Sequence, residues 1–381
     1  MDLEFMNSVF LSVKTSELHG RYITNSHIEK CLEKLPKSHI SVLGYSVEER
    51  PIYSLKFGHG SIKILLWSQM HGNESTSTKA LFDIFNLFDS KNEEANYILD
   101  RCTLVVIPIL NPDGAQKYTR LNANLVDLNR DAQDLSQPES QILRQIYDDF
   151  QPDYCFNLHG QRTIFSAGLT NNIATLSFLS PSQDKERSQT SNRKAAMAII
   201  AKVNDLLQTE LPDSTGRYDD SFNLNCVGDT FQSFGVPTLL YEAGHYANDY
   251  DREEVRRFMF TAILKGLSVI AKGFELEDYK DYFGIPENDK CFYDVIIRNV
   301  KRSPSDLELV DIGVQYNEVL KGENLDFIPK IKEISKQISK FGHKEIDAKG
   351  MLLEPVENLM LTIDSEIVFA LLNNERISLK P

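Results

Sequence analysis

The chain has 381 residues, of which 41% are hydrophobic and 25% charged, a balance that excludes a disordered polymer and suggests one large domain with a smaller one. Its 55 acidic residues against 41 basic ones give a net charge of -14, a field that repels a phosphate backbone and argues against nucleic acid as a partner. Five cysteines, an odd number without a CxxC pair, do not make a disulfide framework and read as thiols in a reducing compartment.

The first 13 residues include an apolar stretch (Phe5, Met6, Val9, Phe10, Leu11, Val13), but Asp2 and Glu4 stand where a secretory leader carries positive charge. No run reaches the roughly 18 apolar residues of a membrane span. A cytoplasmic location with no membrane partner is expected. Residues 17–37 are expected to be helical, with Ile28, Cys31, Leu32 and Leu35 at helical spacing and the Pro36 region as the end. Segments 40–43 and 52–57 are β-rich and flank the polar turn at 48–50, which predicts an antiparallel pair. An apolar run at 62–67 leads through His71-Gly72-Asn73-Glu74 into 75–88, where Ala80, Leu81, Ile84, Phe85 and Phe88 share a helical face. A buried strand at 103–110 ends in the turn-like Asn111-Pro112-Asp113-Gly114, and another at 154–158 ends at His159. A helix at 195–207, a strand at 236–241 ending at Glu242 and a long helix at 253–272 follow.

Strands alternating with helices predict an α/β sheet with helices on both faces. The pattern breaks near Gly284-Ile285-Pro286. Beyond it, 292–299, 359–363 and 367–372 read as strands and 328–340 as a helix, so 1–285 is expected to be the main domain and 286–381 a small α+β domain of unknown role.

In open α/β sheets ligands bind beyond the carboxyl ends of the strands. His71 with Glu74, the 111–114 segment, His159 and Glu242 each follow a predicted strand, so four separate segments aim polar groups at one edge. Two histidines and one carboxylate form a catalytic zinc set, because three protein ligands leave the fourth position for water. A base must still take a proton from that water, and Glu242, set among Leu239, Leu240, Tyr241, Ala243 and Gly244, suits the role because partial burial raises a carboxylate pKa towards working pH. Taken alone, each of these residues reads more simply: a chance HxxE, a histidine capping a strand, a charge at a strand end. In the segment 119–131, Asn129 and Arg130 can clamp a substrate carboxylate through a planar guanidinium fork, and Arg120 can polarise a scissile carbonyl. Singly, such groups are more often solvated surface charges.

His71-Gly72-Asn73-Glu74, Asn111-Pro112-Asp113-Gly114, Asp127-Leu128-Asn129-Arg130, Leu158-His159-Gly160 and Tyr241-Glu242 occur in the order and approximate spacing of the zinc carboxypeptidase family (peptidase family M14), which the chain resembles over about residues 40–270. The segment from Leu43 to Ile52 also looks like that family's lead-in strand pair. The resemblance implies a three-layer α/β/α domain with a mixed central sheet, one Zn²⁺ per chain, and cleavage of an amide next to a free carboxylate. By motif it matches His71, Glu74 and His159 to the metal ligands, Glu242 to the catalytic glutamate, Asn129 and Arg130 to the carboxylate clamp, and Arg120 to the oxyanion arginine across a shorter segment. It matches Asp229 to the pocket segment, with Gly228 at the specificity position. Gly160 departs from the serine common at that position and is followed by Gln161 and Arg162. Either Tyr218 or Tyr246 can be the family's mobile tyrosine. Asp219, Asp220 and Asp229 near Gly228 suggest a basic or diamino leaving residue.

The leading expectation is a carboxypeptidase acting on peptides, cell-wall peptides among them. An N-acyl amino acid deacylase with the same zinc site is the second reading, and a non-catalytic ligand-binding module the third.

Overall fold

Alternate residues of the central strands go to opposite faces of one sheet, and that alternation builds the fold. The computed structural model describes residues 3–90, 92–355, 361–372 and 375–381. It divides into two units, Met1–Gln161 with Ile173–Asn288, and Arg162–Asn172 with Asp289–Pro381.

In the first unit the strands β1 (Ile40–Tyr45), β2 (Pro51–Gly58), β3 (Ile62–Trp67), β4 (Cys102–Ile107), β5 (Tyr154–Gly160), β6 (Leu176–Leu179), β7 (Thr215–Arg217) and β8 (Thr238–Ala243) form one sheet in the order β1-β2-β4-β3-β5-β8-β6-β7. The sheet is mixed: β4, β3, β5 and β8 run parallel, β1, β2 and β4 pair antiparallel, and β6 is antiparallel to β8. Ile64, Leu66, Leu104, Val106, Phe156 and Leu158 pack in one core with the helices α1 (Leu3–Val13), α2 (Asn25–Leu32), α3 (Thr76–Asp89), α4 (Glu93–Arg101), α7 (Ser191–Leu207) and α9 (Glu253–Lys272). The intervening Leu65, Trp67, Val105, Ile107 and Cys155 pack in a second core with α6 (Pro138–Phe150) and α8 (Val227–Ser233). The arrangement is a three-layer α/β/α domain. Among the described residues no helix is long and apolar enough to cross a membrane, and all five cysteines are free.

Three expectations need correction. The helix expected within 17–37 is confined to α2, because Thr24 occupies its N-cap and residues 16–24 run as turns and coil. Segment 111–114 starts a helix, α5 (Pro112–Lys117), in which Asn111 Oδ1 accepts the Gly114 N–H at 2.8 Å and Pro112 stands where a helix lacks a partner for its N–H. Segment 328–340 is strand through Ser335, not helix.

In the second unit β9 (Phe292–Val300), β10 (Val310–Lys321), β11 (Asn324–Ser335) and β12 (Phe341–Asp347) form a four-stranded sheet in the order β11-β10-β9-β12. Its described residues contain no helix, so the expected α+β character is absent from them. The register jumps from Gly313 opposite Glu333 to Val314 opposite Ile331, so Lys332 is a bulge residue. That extra residue puts Ile331 and Ile334 three apart on one buried cluster, a spacing that imitates a helix. Of the expected strands, 367–372 corresponds to Phe369–Leu372, whereas 359–363 begins outside the described residues, as do Met1 and Asp2 at the amino end.

Candidate functional site

β3 ends at Trp67, and the chain then turns sharply into α3, with Gln69 at φ 47° donating its side-chain amide to Gly72 O at 2.7 Å. A Cβ on Gly72 would sit 1.9 Å from the Gly114 carbonyl carbon, so only glycine lets this loop lie directly on the backbone of α5. The turn sets His71 and Glu74 side by side, with Nδ1 of His71 2.9 Å from Glu74 Oε1. His159, at the end of β5, brings its own Nδ1 to 3.0 Å from Glu74 Oε2 and 3.2 Å from His71 Nδ1. The Gly160 N–H donates to Glu74 Oε2 at 2.9 Å and orients the carboxylate. A Cβ at Gly160 would meet Glu74 Cβ and Cγ at 3.3 and 3.4 Å, so a side chain here would have to share tight space with the Glu74 stem.

These three residues fit a metal ion. An ion bonded to two imidazole nitrogens at about 2.0–2.1 Å with tetrahedral angles holds them about 3.3 Å apart. The observed edges are 3.2, 3.0 and 2.9 Å. Asp127, to which the sequence assigned no role, accepts from His71 Nε2 at 3.0 Å; because a carboxylate can only accept, the Nδ1 lone pair is left facing Glu74 and His159. Burial pulls the His71 pKa down, yet the Glu74 charge and the Asp127 hydrogen bond outweigh it and push it up to about 9. Burial likewise opposes ionisation of Glu74, and the two imidazoles nevertheless hold its carboxyl well below the usual range. The two rings differ, since burial wins at His159 and lowers its pKa while the neighbouring carboxylates win at His71.

β8 runs parallel to β5, and Glu242 is the register partner of His159, so the two side chains leave the same face of the sheet on adjacent strands. Glu242 Oε2 is sealed from solvent with no protein donor among the described residues. Burial, reinforced by the nearby Glu74 charge, raises its pKa well above the ordinary value.

Asn129 is buried, and its Oδ1 accepts the Val227 N–H at 3.0 Å, tying the 128–130 turn to the start of α8. Arg130 is exposed and donates to the Asn129 carbonyl at 2.7 Å, so the buried guanidinium that a clamp suggests is not present. Arg120 is half-exposed, with Nε 3.0 Å from Asp127 Oδ2 and one terminal nitrogen 3.4 Å from Glu74 Oε1, which places it beside the ligand cluster.

Gly228 is the second residue of α8, where a Cβ would stand 2.9 Å from Pro181 Cγ. Burial pushes the Asp229 pKa up to about 7, against the lowering influence of the nearby Ser182 and Asn223 amides and the Cys226 thiol. Asp220 is ion-paired with Arg193 and, at 3.1 Å, with Arg187. Asp219 is exposed and bonded to Ser221 N at 2.9 Å. None of the three offers the uncompensated carboxylate that a preference for a basic leaving residue requires.

Of the two candidate tyrosines, Tyr218 lies among the site groups: its hydroxyl donates to Gln161 Oε1 at 2.8 Å, and the charges of Glu242 and Glu74 add to burial in raising its pKa. Tyr246 is at the surface against Phe258, with ring centres 5.7 Å apart. Asp127 and Gln161 carried no role in the sequence reading. The one signal for Asp127 was its place two residues before Asn129.

The sequence model of a family described as zinc carboxypeptidase matches residues 24–276. Carboxypeptidase SOL1 of Arabidopsis thaliana is 30% identical over 168 residues, covering 38% of this chain and 34% of that protein. Carboxypeptidase 2 of Trichophyton rubrum is 25% identical over 128 residues, covering 33% and 22%. The chain thus spans about a third or less of the length of these relatives. Among solved structures, a metallo-carboxypeptidase from Burkholderia cenocepacia is similar with a TM-score of 0.52 at 20% identity, covering 65% of this chain and 69% of that one. One from Pseudomonas aeruginosa, in complex with (2-guanidinoethylmercapto)succinic acid, gives 0.53 at 17%, covering 66% and 69%. At these identities the structures speak for the fold.

Proposed function

Because the chain belongs to the zinc carboxypeptidase family, we propose that it removes a C-terminal residue from a peptide, using one zinc ion held by His71, Glu74 and His159. The observation that carries this reading is the convergence of two imidazole nitrogens, 3.2 Å apart, on the two oxygens of one carboxylate. When bound, such an ion supplies a Lewis acid and brings the pKa of a water towards neutrality.

The chain's own groups do the rest. Glu242 takes the proton of the attacking water on its carboxylate and delivers it to the leaving nitrogen as the amide bond breaks. Arg120, beside the ligands, steadies the carbonyl oxygen as negative charge develops there. Asn129 and Arg130 receive the terminal carboxylate at the mouth, Arg130 from its exposed position, and Gly228 forms part of the wall around the leaving side chain. Asp127 holds His71 in the tautomer that points Nδ1 inward.

The test is a panel of peptides with free and amidated C-termini together with N-acyl amino acids, assayed with zinc and with chelator. The expected result is cleavage of free-carboxylate peptides that chelator abolishes and amidation slows about tenfold, the smaller penalty that an exposed arginine implies. Equal cleavage of amidated peptides, or cleavage of acyl amino acids alone, would overturn the reading.

A further inference from the structure

Gln161, directly after the Gly160 that supports Glu74, is buried and makes a set of contacts that the proposed chemistry leaves unused. Its Nε2 donates to the Ala174 carbonyl at 2.7 Å. A carbonyl can only accept, so this bond settles which end of the carboxamide is which and turns Oε1 the other way. Oε1 accepts the Tyr218 hydroxyl at 2.8 Å and Asn288 Nδ2 at 3.2 Å. Asn288 is in turn joined to the fully buried Ser177, with Nδ2 3.0 Å and Oδ1 3.1 Å from its hydroxyl, and Ser177 is the register partner of Glu242. The Gln161 backbone is pinned as well, its N–H to Ala243 O at 2.9 Å and its carbonyl to an Arg252 guanidinium nitrogen at 2.5 Å.

Two glycines make room for this relay. A Cβ on Gly244 would stand 2.5 Å from Gln161 Nε2, and one on Gly216 would stand 1.7 Å from Asn288 Oδ1. The Tyr218 N–H donates to Phe178 O at 3.0 Å, which anchors its main chain to β6.

We propose that Gln161, backed by Asn288 and Ser177, is a positioning residue: it holds the Tyr218 hydroxyl next to the strand end that carries His159 before a substrate arrives and engages its hydroxyl proton, so that the phenol meets a substrate as a hydrogen-bond acceptor. The inference rests on the carboxypeptidase reading for its catalytic consequence, and on side-chain geometry alone for the holding of Tyr218. A chain with this relay has its tyrosine already in place, where a phenol without such partners must be ordered during binding.

The test has two arms, both on the zinc-loaded full chain. In a double-mutant cycle on kcat/KM for a free-carboxylate peptide, Gln161→Met is expected to lose about tenfold in the wild-type background and less than about twofold in Tyr218→Phe, because its effect passes through the hydroxyl. Equal losses in both backgrounds mean that Gln161 only supports the fold, and overturn the proposal. In the second arm, acetylation of Tyr218 by N-acetylimidazole, followed by peptide mass spectrometry, is expected to be about tenfold faster in Gln161→Met and faster in the milder Asn288→Ala. An unchanged rate in both variants overturns the holding role. If no free-carboxylate peptide is cleaved by the wild type, the carboxypeptidase reading falls with the catalytic consequence, while the acetylation arm still decides whether Gln161 holds Tyr218.

Discussion

At the scale of single residues, the site depends on which atoms face inward. His159 reaches Glu74 and His71 through Nδ1, and its Nε2 has no hydrogen-bond partner among the described residues, so removing its ring removes one of three donors. His159→Ala is expected to lose stoichiometric zinc by metal analysis, whereas Glu242→Gln, which touches no donor, keeps zinc and loses at least about 10²-fold in kcat. Full metal in the first variant, or near-normal turnover in the second, would mean that the roles lie elsewhere. Asp127→Asn keeps the shape of the carboxylate but no longer obliges His71 to carry its proton on Nε2, and zinc affinity is expected to fall by roughly 10- to 100-fold. A competition titration against a chelator of known affinity reads that shift directly. His71, Glu74, His159 and Glu242 were legible because each stands where a predicted strand gives out. The part played by Asp127 was not, since its partner is 56 positions away in the chain and their contact is set by how the intervening helices and strand pack, which periodicity does not encode.

Among the elements, α3 and α9 are joined inside the first unit by charge rather than by apolar packing alone. Arg256 and Asp83 are fully buried, pair at 2.6 Å, and are completed by the carbonyls of Leu18 and Thr15. Cutting one partner strands the other without water, so Arg256→Ala is expected to destabilise by roughly 3–5 kcal/mol in urea unfolding. A change below about 1 kcal/mol would show that water reaches Asp83. Glu253, in the first turn of α9, has its pKa lowered to about 2: burial opposes ionisation, but Lys79 and Lys14 outweigh it. A carboxyl held below its unfolded value of about 4.5 contributes stability that is complete above that pH and is lost as pH falls towards 2. Wild type should therefore lose more stability than Glu253→Gln between those values, and parallel acid-unfolding curves would contradict this. Long helices such as α9 and runs such as β3 could be read from periodicity, while β11 could not, because the bulge at Lys332 shifts its alternation by one residue.

For the whole molecule, an ion bound by residues from β5 and the β3–α3 loop joins segments 88 positions apart and must favour the folded chain over the unfolded one. At free zinc about 100 times its dissociation constant the linkage amounts to roughly 2.7 kcal/mol, so chelation is expected to lower the melting temperature by several degrees. An unchanged melting curve would argue against tight binding in the native state. What the sequence by itself determined was the layered α/β plan and the set of ionisable groups at the strand ends, because strand and helix periods and strand termini are local properties of the chain. The tertiary structure alone decided that Asp127 orients His71, that Asp220 is already ion-paired and Asp229 buried, that Arg130 stays exposed, and that Tyr218 rather than Tyr246 is bonded to Gln161. Each of these depends on contacts between segments far apart in the chain, and on how much water and counter-charge surrounds a group, which no local pattern of residues encodes.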